Sequence, residues 1–306
     1  MELQTASLGR WLEHAEDPER WRALNPELSI TSRPIAGAAA RHRVEPPAMA
    51  PYTRQIVQEG YLQLPPLVPR AQTARLAAAV DRVCRQGLPP VFGFVYDEFW
   101  QLFADLARVL AAVIGPDHRL NRAGIWGWHV EADQAGWPPH RDLPAPDTLH
   151  ADGRPCNLTV WIPLTDATPL NGCLYVLPTN RDPNFPARLD RFEVTAKDLQ
   201  NVRALPAPAG SVLCWNSCIL HWGSRSSERA EQTRISVAAY VQGRDFDKDG
   251  MRPDFSHETL LLQEQVEWPL ESRLDAIRAA IRLYHRIVAA EFPTIAEELM
   301  RFAGEP

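Results

Sequence analysis

The hydrophobic period changes in mid-chain, and that change limits the folds open to this sequence more than any other feature. Up to Gly115, apolar residues recur at three- and four-residue steps. Leu76, Val80 and Val83 form one such face, and Phe99, Leu102, Phe103, Leu106, Leu110 and Val113 form a second, which Gly115-Pro116 stops. From Arg122 the pattern gives way to "RAGIWGWHVEA", "NLTVWIPLTDA", "GCLYVLPTN", "GSVLCWNSCILHW" and "TRISVAAYVQG". These short segments are rich in β-branched and aromatic residues and are set apart by Gly, Pro, Asn and Asp turns. The helical period returns after Glu271, with Leu274, Ile277, Ile281, Tyr284 and Val288 on one face and Pro293 interrupting it. Helices on both sides of a block of strands predict an α+β architecture whose strands form one double-layered antiparallel unit, a sandwich or a barrel.

With 306 residues and 45% hydrophobic content, the chain can bury a sizeable core, as one large domain or two small ones. Its net charge of −6 and the lack of any Lys/Arg run argue against nucleic acid as a partner. The opening "MELQTASLGRWLEHAEDPERW" lacks the profile of a signal peptide, and no stretch has the length of a membrane span, so a soluble cytoplasmic protein is expected. Cys84, Cys156, Cys173, Cys214 and Cys218 are scattered and form no CxxC pair, which suits small buried hydrophobes better than a disulfide framework or a zinc knuckle. Residues 1–53 read as an accessory arm. Trp11, Leu12, Ala15, Trp21 and Leu24 lie in short helical pieces broken by Pro18 and Pro26, and an irregular linker, "SRPIAGAAARHRVEPPAMAP", follows. Residues 54–245 read as the core, opened by a helix ending at Gly60 and a strand over 61–64, and 246–306 as a helical extension on the same domain.

Candidate chemistry centres on "GWPPHRD". His140 and Asp142, two positions apart, point to the same side of an extended segment and can reach one ion. His221, at the end of the apolar run "GSVLCWNSCILH", is the best third ligand. Two histidines and a carboxylate would occupy one face of an octahedral iron(II) and leave three positions for substrates and dioxygen. The competing reading is a solvated charge pair on a loop, since a bare HxD pair is common by chance. A keto acid that chelates such a metal needs a cation for its far carboxylate. Arg234, on the next expected strand, suits that role, and Ser236 faces the same side with a hydroxyl to donate. The competing reading is an ordinary surface arginine.

At these residues the sequence resembles the phytanoyl-CoA dioxygenase-like branch of the iron(II)/2-oxoglutarate oxygenases. The resemblance rests on "PHRD" (139–142), "WIPLTDATPLNGCLYVLP" (161–178), "PAGSVLCWNSCILHWGS" (208–224) and "RIS" (234–236), in family order, with "QEGYLQLPPLVPRAQTARLAAAVDRV" (58–83) as the opening strand and helix. It implies a double-stranded β-helix (a cupin-like jelly roll) with flanking helices. It also implies His140, Asp142 and His221 on Fe(II), and 2-oxoglutarate held by Arg234 with Trp161 beside it and Ser236 near. Dioxygen would be the oxidant, succinate and CO2 the co-products, and the substrate a small molecule, with secondary metabolism as a setting. Halogenating relatives replace the carboxylate with a small residue, so Asp142 points to hydroxylation.

Other positions carry plainer expectations. Trp128, Trp137 and Trp222 are the substrate-contact candidates, each with core packing as its alternative. Arg141, between two ligands, should point away and be structural. Asn171-Gly172 reads as a turn, Arg225 and Arg229 as secondary anchor candidates, and His118, His150 and His257 as solvated. The spacing from His221 to Arg234 is longer than in some relatives, and Trp222 stands where a smaller residue is common. The arm and tail would cover the barrel mouth or form a homodimer contact. Two other function classes fit the same ligands: a zinc hydrolase, with Glu131 as nearest general base, and a non-catalytic barrel that binds a small ligand.

Overall fold

The computed structural model describes residues 9, 11–31, 44–145, 148–243, 246, 259–261 and 269–304. Helix α1 (Pro18–Leu24) is capped by the Asp17 side chain, and α2 (Ala50–Glu59) ends at Gly60, whose φ of 85° supplies the left-handed C-cap. Strand β1 (Tyr61–Pro66) leads into α3 (Arg70–Arg85). The long apolar run after Asp97 is two helices, α4 (Asp97–Asp105) and α5 (Ala107–Ile114), with Leu106 as the joint.

The strand block predicted from period-two patterning follows: β2 (Arg119–Val130), β3 (Asn157–Pro163), β4 (Leu174–Leu177), β5 (Arg203–Leu205), β6 (Ser211–Asn216), β7 (Leu220–Gly223), β8 (Arg234–Gln242) and β9 (Thr259–Leu261). The run "GSVLCWNSCILHW" is thus two strands, and Asn216 makes the turn between them by accepting the backbone N–H groups of Cys218 and Ile219. Helices α6 (Leu270–Leu283), α7 (His285–Glu291) and α8 (Ala296–Phe302) complete the order. The break between α6 and α7 falls at Tyr284, before Pro293 is reached.

The strands form a jelly roll of two antiparallel sheets: six strands in the order β1-β6-β3-β8-β2-β9, and three in the order β5-β4-β7. A single bridge between His140 and His221 adds a fourth segment to the smaller sheet. The fold is therefore α+β, with helices packed on one face of the larger sheet. Alternation divides the strands between two interiors. In β8, Ile235, Val237, Ala239 and Val241 face the helix-backed core, which also holds Leu158, Val160 and Ile162 of β3 and Leu274, Ile277 and Ile281 of α6. Ala238 of β8, Trp161 of β3 and Leu213 and Trp215 of β6 face a second cluster between the sheets.

Two expectations change here. The segment read as an accessory arm reaches the main core: Trp21 is fully buried, stacks on Phe92 at 5.9 Å between centroids, and its carbonyl accepts the Tyr96 hydroxyl. The adjoining linker lies largely outside the described residues. His118, expected in solvent, is buried, with Nδ1 2.8 Å from the Gly115 carbonyl, and burial pushes its pKa below the ordinary histidine value. His257 lies outside the described residues. Cys156, Cys173, Cys214 and Cys218 are buried thiols, as their scatter suggested.

Candidate metal centre

Pro138 and Pro139 have no backbone N–H, so the chain ahead of His140 cannot extend a full ladder. The bridge forms at His140, whose N–H donates to the His221 carbonyl and whose carbonyl accepts the His221 N–H, each at 3.0 Å, and it is flanked by bonds from the Gly223 N–H to the Trp137 carbonyl at 3.2 Å and from the Leu143 N–H to the Ser217 carbonyl at 3.0 Å. Directly paired residues project to the same face. The two imidazoles accordingly stand 4.3 Å apart between ring centroids. The Asp142 Oδ1 atom lies 3.7 Å from Nε2 of His140 and 3.6 Å from Nε2 of His221. One donor atom from each of the three residues falls within 4.8 Å of the others.

Each ligand is oriented from behind. His140 Nδ1 is 2.7 Å from the Pro138 carbonyl and His221 Nδ1 is 3.2 Å from that of Ile219, so each Nδ1–H donates to backbone and leaves the Nε2 lone pair for a metal. The Asp142 Oδ2 atom accepts from Thr159 Oγ1 at 2.6 Å and from Trp215 Nε1 at 2.8 Å, which turns Oδ1 toward the histidines. Burial works against the Asp142 charge, but the imidazoles of His221 and His140 and those two hydrogen bonds hold its pKa below the usual aspartate value. Burial lowers His221 to about 4, which keeps it neutral and able to ligate at pH 7. The donor set, two neutral imidazoles and one carboxylate on one side of an open space, suits a hard-to-borderline divalent ion with positions left for exchangeable ligands.

The cleft over these ligands is narrow, with a cavity volume of about 30 Å³. Its walls are largely aromatic, with Trp128, Trp137, Trp161 and Trp215 among them, and Arg234 lies in the same cleft as the three ligands. Arg234 is 2% exposed. It donates from one terminal nitrogen to Ser236 Oγ at 2.8 Å, while its Nε has no hydrogen-bond partner among the described residues. Burial lowers its pKa to about 10, with Glu291 and Cys173 acting in the opposite direction, so it stays charged at neutral pH. A buried cation with an orphaned donor fits a missing carboxylate.

The remaining sequence candidates separate cleanly. Trp128 and Trp137 line the cleft, whereas Trp222, one residue past His221 on a strand, points to the opposite face and stacks on Tyr175. Arg225 is exposed and pairs with Asp133, so it is no anchor for a buried carboxylate. Arg229 is likewise exposed, outside the cleft. Arg141 points away from the ligands, as alternation required, and its head is fully buried against Asp182 at 2.6 Å. Asn171 accepts the Thr168 N–H, and Gly172 has a φ of 88°, the turn the dipeptide predicted. Glu131 is exposed outside the cleft, where its N–H donates to Gln134, so the hydrolase reading loses its nearest base.

The sequence reading missed Thr159, Tyr240 and Tyr284. Thr159 precedes Trp161 by two on β3, and Tyr240 continues the series Arg234, Ser236, Ala238 on β8. Period two alone would have found both. Tyr284 reaches the cleft from the α6–α7 joint, and no local pattern marks it.

Two histidines and one carboxylate at the open cleft of a jelly roll form the donor set of a facial triad, one that could hold a single metal ion. Residues 106–230 match the family model described as Phytanoyl-CoA dioxygenase (PhyH), in line with the resemblance read from the chain's motifs. No curated protein matches the chain by sequence. Solved structures share its fold. The epimerase SnoN, in complex with Fe3+, alpha ketoglutarate and nogalamycin RO, aligns at 16% identity over 64% of this chain and 84% of its own, with a TM-score of 0.51. The non-heme monooxygenase ThoJ, as its nickel complex, aligns at 12% identity over 78% and 99%, with a TM-score of 0.55. EctD from S. alaskensis aligns at 15% identity over 75% and 95%, with a TM-score of 0.51. No described helix is long and apolar enough to cross a membrane.

Proposed function

We propose that this chain is a non-haem iron(II) and 2-oxoglutarate-dependent oxygenase that hydroxylates a small organic substrate. In this reading His140, Asp142 and His221 hold the iron. Arg234 and Ser236, with Trp161 beside them, hold the far carboxylate of 2-oxoglutarate. The observation that carries the reading is the orphaned Nε of a buried Arg234 in the same cleft as the three ligands. When bound, iron and 2-oxoglutarate supply an oxidant that takes a hydrogen atom from substrate and returns a hydroxyl, consuming dioxygen and releasing succinate and CO2. The chain's own residues orient and exclude. The Trp128 and Trp137 rings pack edge-on at 5.1 Å and narrow the space above the ligands, which keeps bulk water from the reacting atoms. A retained Asp142, pinned by Thr159 and Trp215, leaves no vacant position for halide and favours hydroxylation. A hydrolase would need a second acid or base, and Asp142 is the only carboxylate among the described residues lining the cleft.

Anaerobic titration of the apoprotein with iron(II) and 2-oxoglutarate tests the reading through the metal-to-ligand charge-transfer band in the visible. Wild type should develop the band. Asp142→Ala should abolish it, and Arg234→Ala should require about 10-fold or more 2-oxoglutarate, since a charge-assisted hydrogen bond contributes ~1.5–3 kcal/mol. A folded, iron-loaded wild type with no band would rule the reading out.

A further inference from the structure

The C-terminal helices reach the metal ligands through two phenols. Tyr240, buried on β8, lies with its hydroxyl 3.2 Å from Asp142 Oδ1, the oxygen that faces both histidines. Its hydroxyl faces that of Tyr284, at the α6–α7 joint. The direction of the chain follows from the groups. An ionised carboxylate only accepts, so Tyr240 donates to Asp142, and a lone pair on its oxygen remains open to the Tyr284 hydroxyl.

Two further features seat this pair. Gly124 on β2 leaves the space that the Tyr240 ring fills: a Cβ there would lie 2.4 Å from Tyr240 Cδ2 and 2.8 Å from Tyr240 Cβ. Tyr284 is held by Trp126 at 4.8 Å and Trp137 at 5.6 Å between ring centroids, and the Trp137 indole N–H donates to Glu291 on α7. Trp137, His140, Asp142, Tyr240 and Tyr284 also line a second, outer groove that continues along Leu283 and Ile287, so the two phenols stand where the inner cleft and the groove meet.

We propose that Tyr240 is a positioning residue for the carboxylate ligand and that Tyr284 acts through it, making the C-terminal helices part of the metal site. Three hydrogen bonds then define the Asp142 rotamer. Thr159 and Trp215 fix the outer oxygen, and Tyr240 fixes the inner one while leaving it a lone pair for the metal. The proposal rests on the reading of His140, Asp142 and His221 as metal ligands, and its test keeps the two apart.

The probe is Co(II) alone, titrated into the apoprotein, with affinity and the visible ligand-field spectrum as readouts. Tyr240→Phe keeps the ring and removes the donor. It should weaken binding roughly 10-fold and shift the band, the usual effect of losing an outer-shell partner. Tyr284→Phe should weaken it by about two- to tenfold and shift the band in the same direction. The double variant should match Tyr240→Phe, because Tyr284 acts only through Tyr240, and Gly124→Ala should reproduce Tyr240→Phe by displacing the ring. A wild type that binds Co(II) beside a Tyr240→Phe protein with unchanged affinity and spectrum overturns this proposal alone, as do additive effects in the double variant. A wild type that takes up no Co(II) overturns the metal reading and this one with it.

Discussion

The buried pair Arg141–Asp182 is the most demanding test of how the ligand-bearing loops are held. Arg141 sits between two ligands, and its side chain and that of Asp182 have no solvent exposure. Its guanidinium also donates to the carbonyls of Cys218 and Arg191, and Asp182 accepts the Asn184 N–H at 2.8 Å. One cation thereby ties the His140–Asp142 segment to the turn before His221. Asp182→Ala would leave a buried guanidinium with carbonyl partners only, and breaking one side of such a pair costs about 3–5 kcal/mol. At roughly 2–4 °C per kcal/mol, the thermal midpoint should fall by roughly 6–20 °C. Replacing both members with apolar residues of similar volume, Arg141→Met with Asp182→Leu, removes the stranded charge and should recover most of that loss. Urea unfolding of wild type, Arg141→Met, Asp182→Leu and the double variant closes the cycle. An Asp182→Ala loss under about 1 kcal/mol, the range of exposed pairs, would refute the argument. So would a double variant less stable than Asp182→Ala.

Two further outcomes follow from the site geometry. Thr159→Val with Trp215→Phe removes both donors to Asp142 Oδ2 and should raise the Co(II) dissociation constant about 10–100-fold with the fold intact by circular dichroism. Gly136→Ala places a Cβ 2.2 Å from the Gly223 carbonyl oxygen and 2.6 Å from that of Ser224, both backbone atoms just past His221. It should cost about 1–3 kcal/mol in thermal or urea unfolding and weaken metal binding as well.

What the sequence disclosed, and what it withheld, tracks the distance over which each residue is determined. Alternation along β8 is a local property, so spacing alone places Arg234 and Ser236 on one face, and Tyr240 was open to the same reading. That His140 and Asp142 face the same space was legible from spacing, although the segment is no strand: a bridge to His221 does what a ladder would have done. Trp222 was misplaced because its neighbour is a ligand, and adjacency on a strand means opposite faces. The burial of Trp21 was hidden by the prolines around it. Its partners Phe92 and Tyr96 lie some 70 residues on, where the pattern of the arm carries no information. Asp182 was hidden for the same reason, in an irregular loop whose only sequence cue is polarity.

The strands thus separate two tasks by face. Leu158, Val160 and Ile162 of β3, Val212 and Cys214 of β6, and Ile235, Val237, Ala239 and Val241 of β8 lie in the core that the helices cover. The alternate residues Thr159 and Trp161, Trp215, and Arg234, Ala238 and Tyr240 line the cleft. Burial on the helix side supplies the stability that lets the cleft side hold a buried cation and a buried carboxylate, both of which cost free energy on folding. That arrangement also explains why the tail matters beyond its helical packing. α6 buries Leu274, Ile277 and Ile281 in the core, and where it breaks, the next residue is Tyr284, the phenol that faces Tyr240. A helix seated on the stable face in this way delivers one side chain to the reactive face, at the end of a strand whose own alternation had already placed the other.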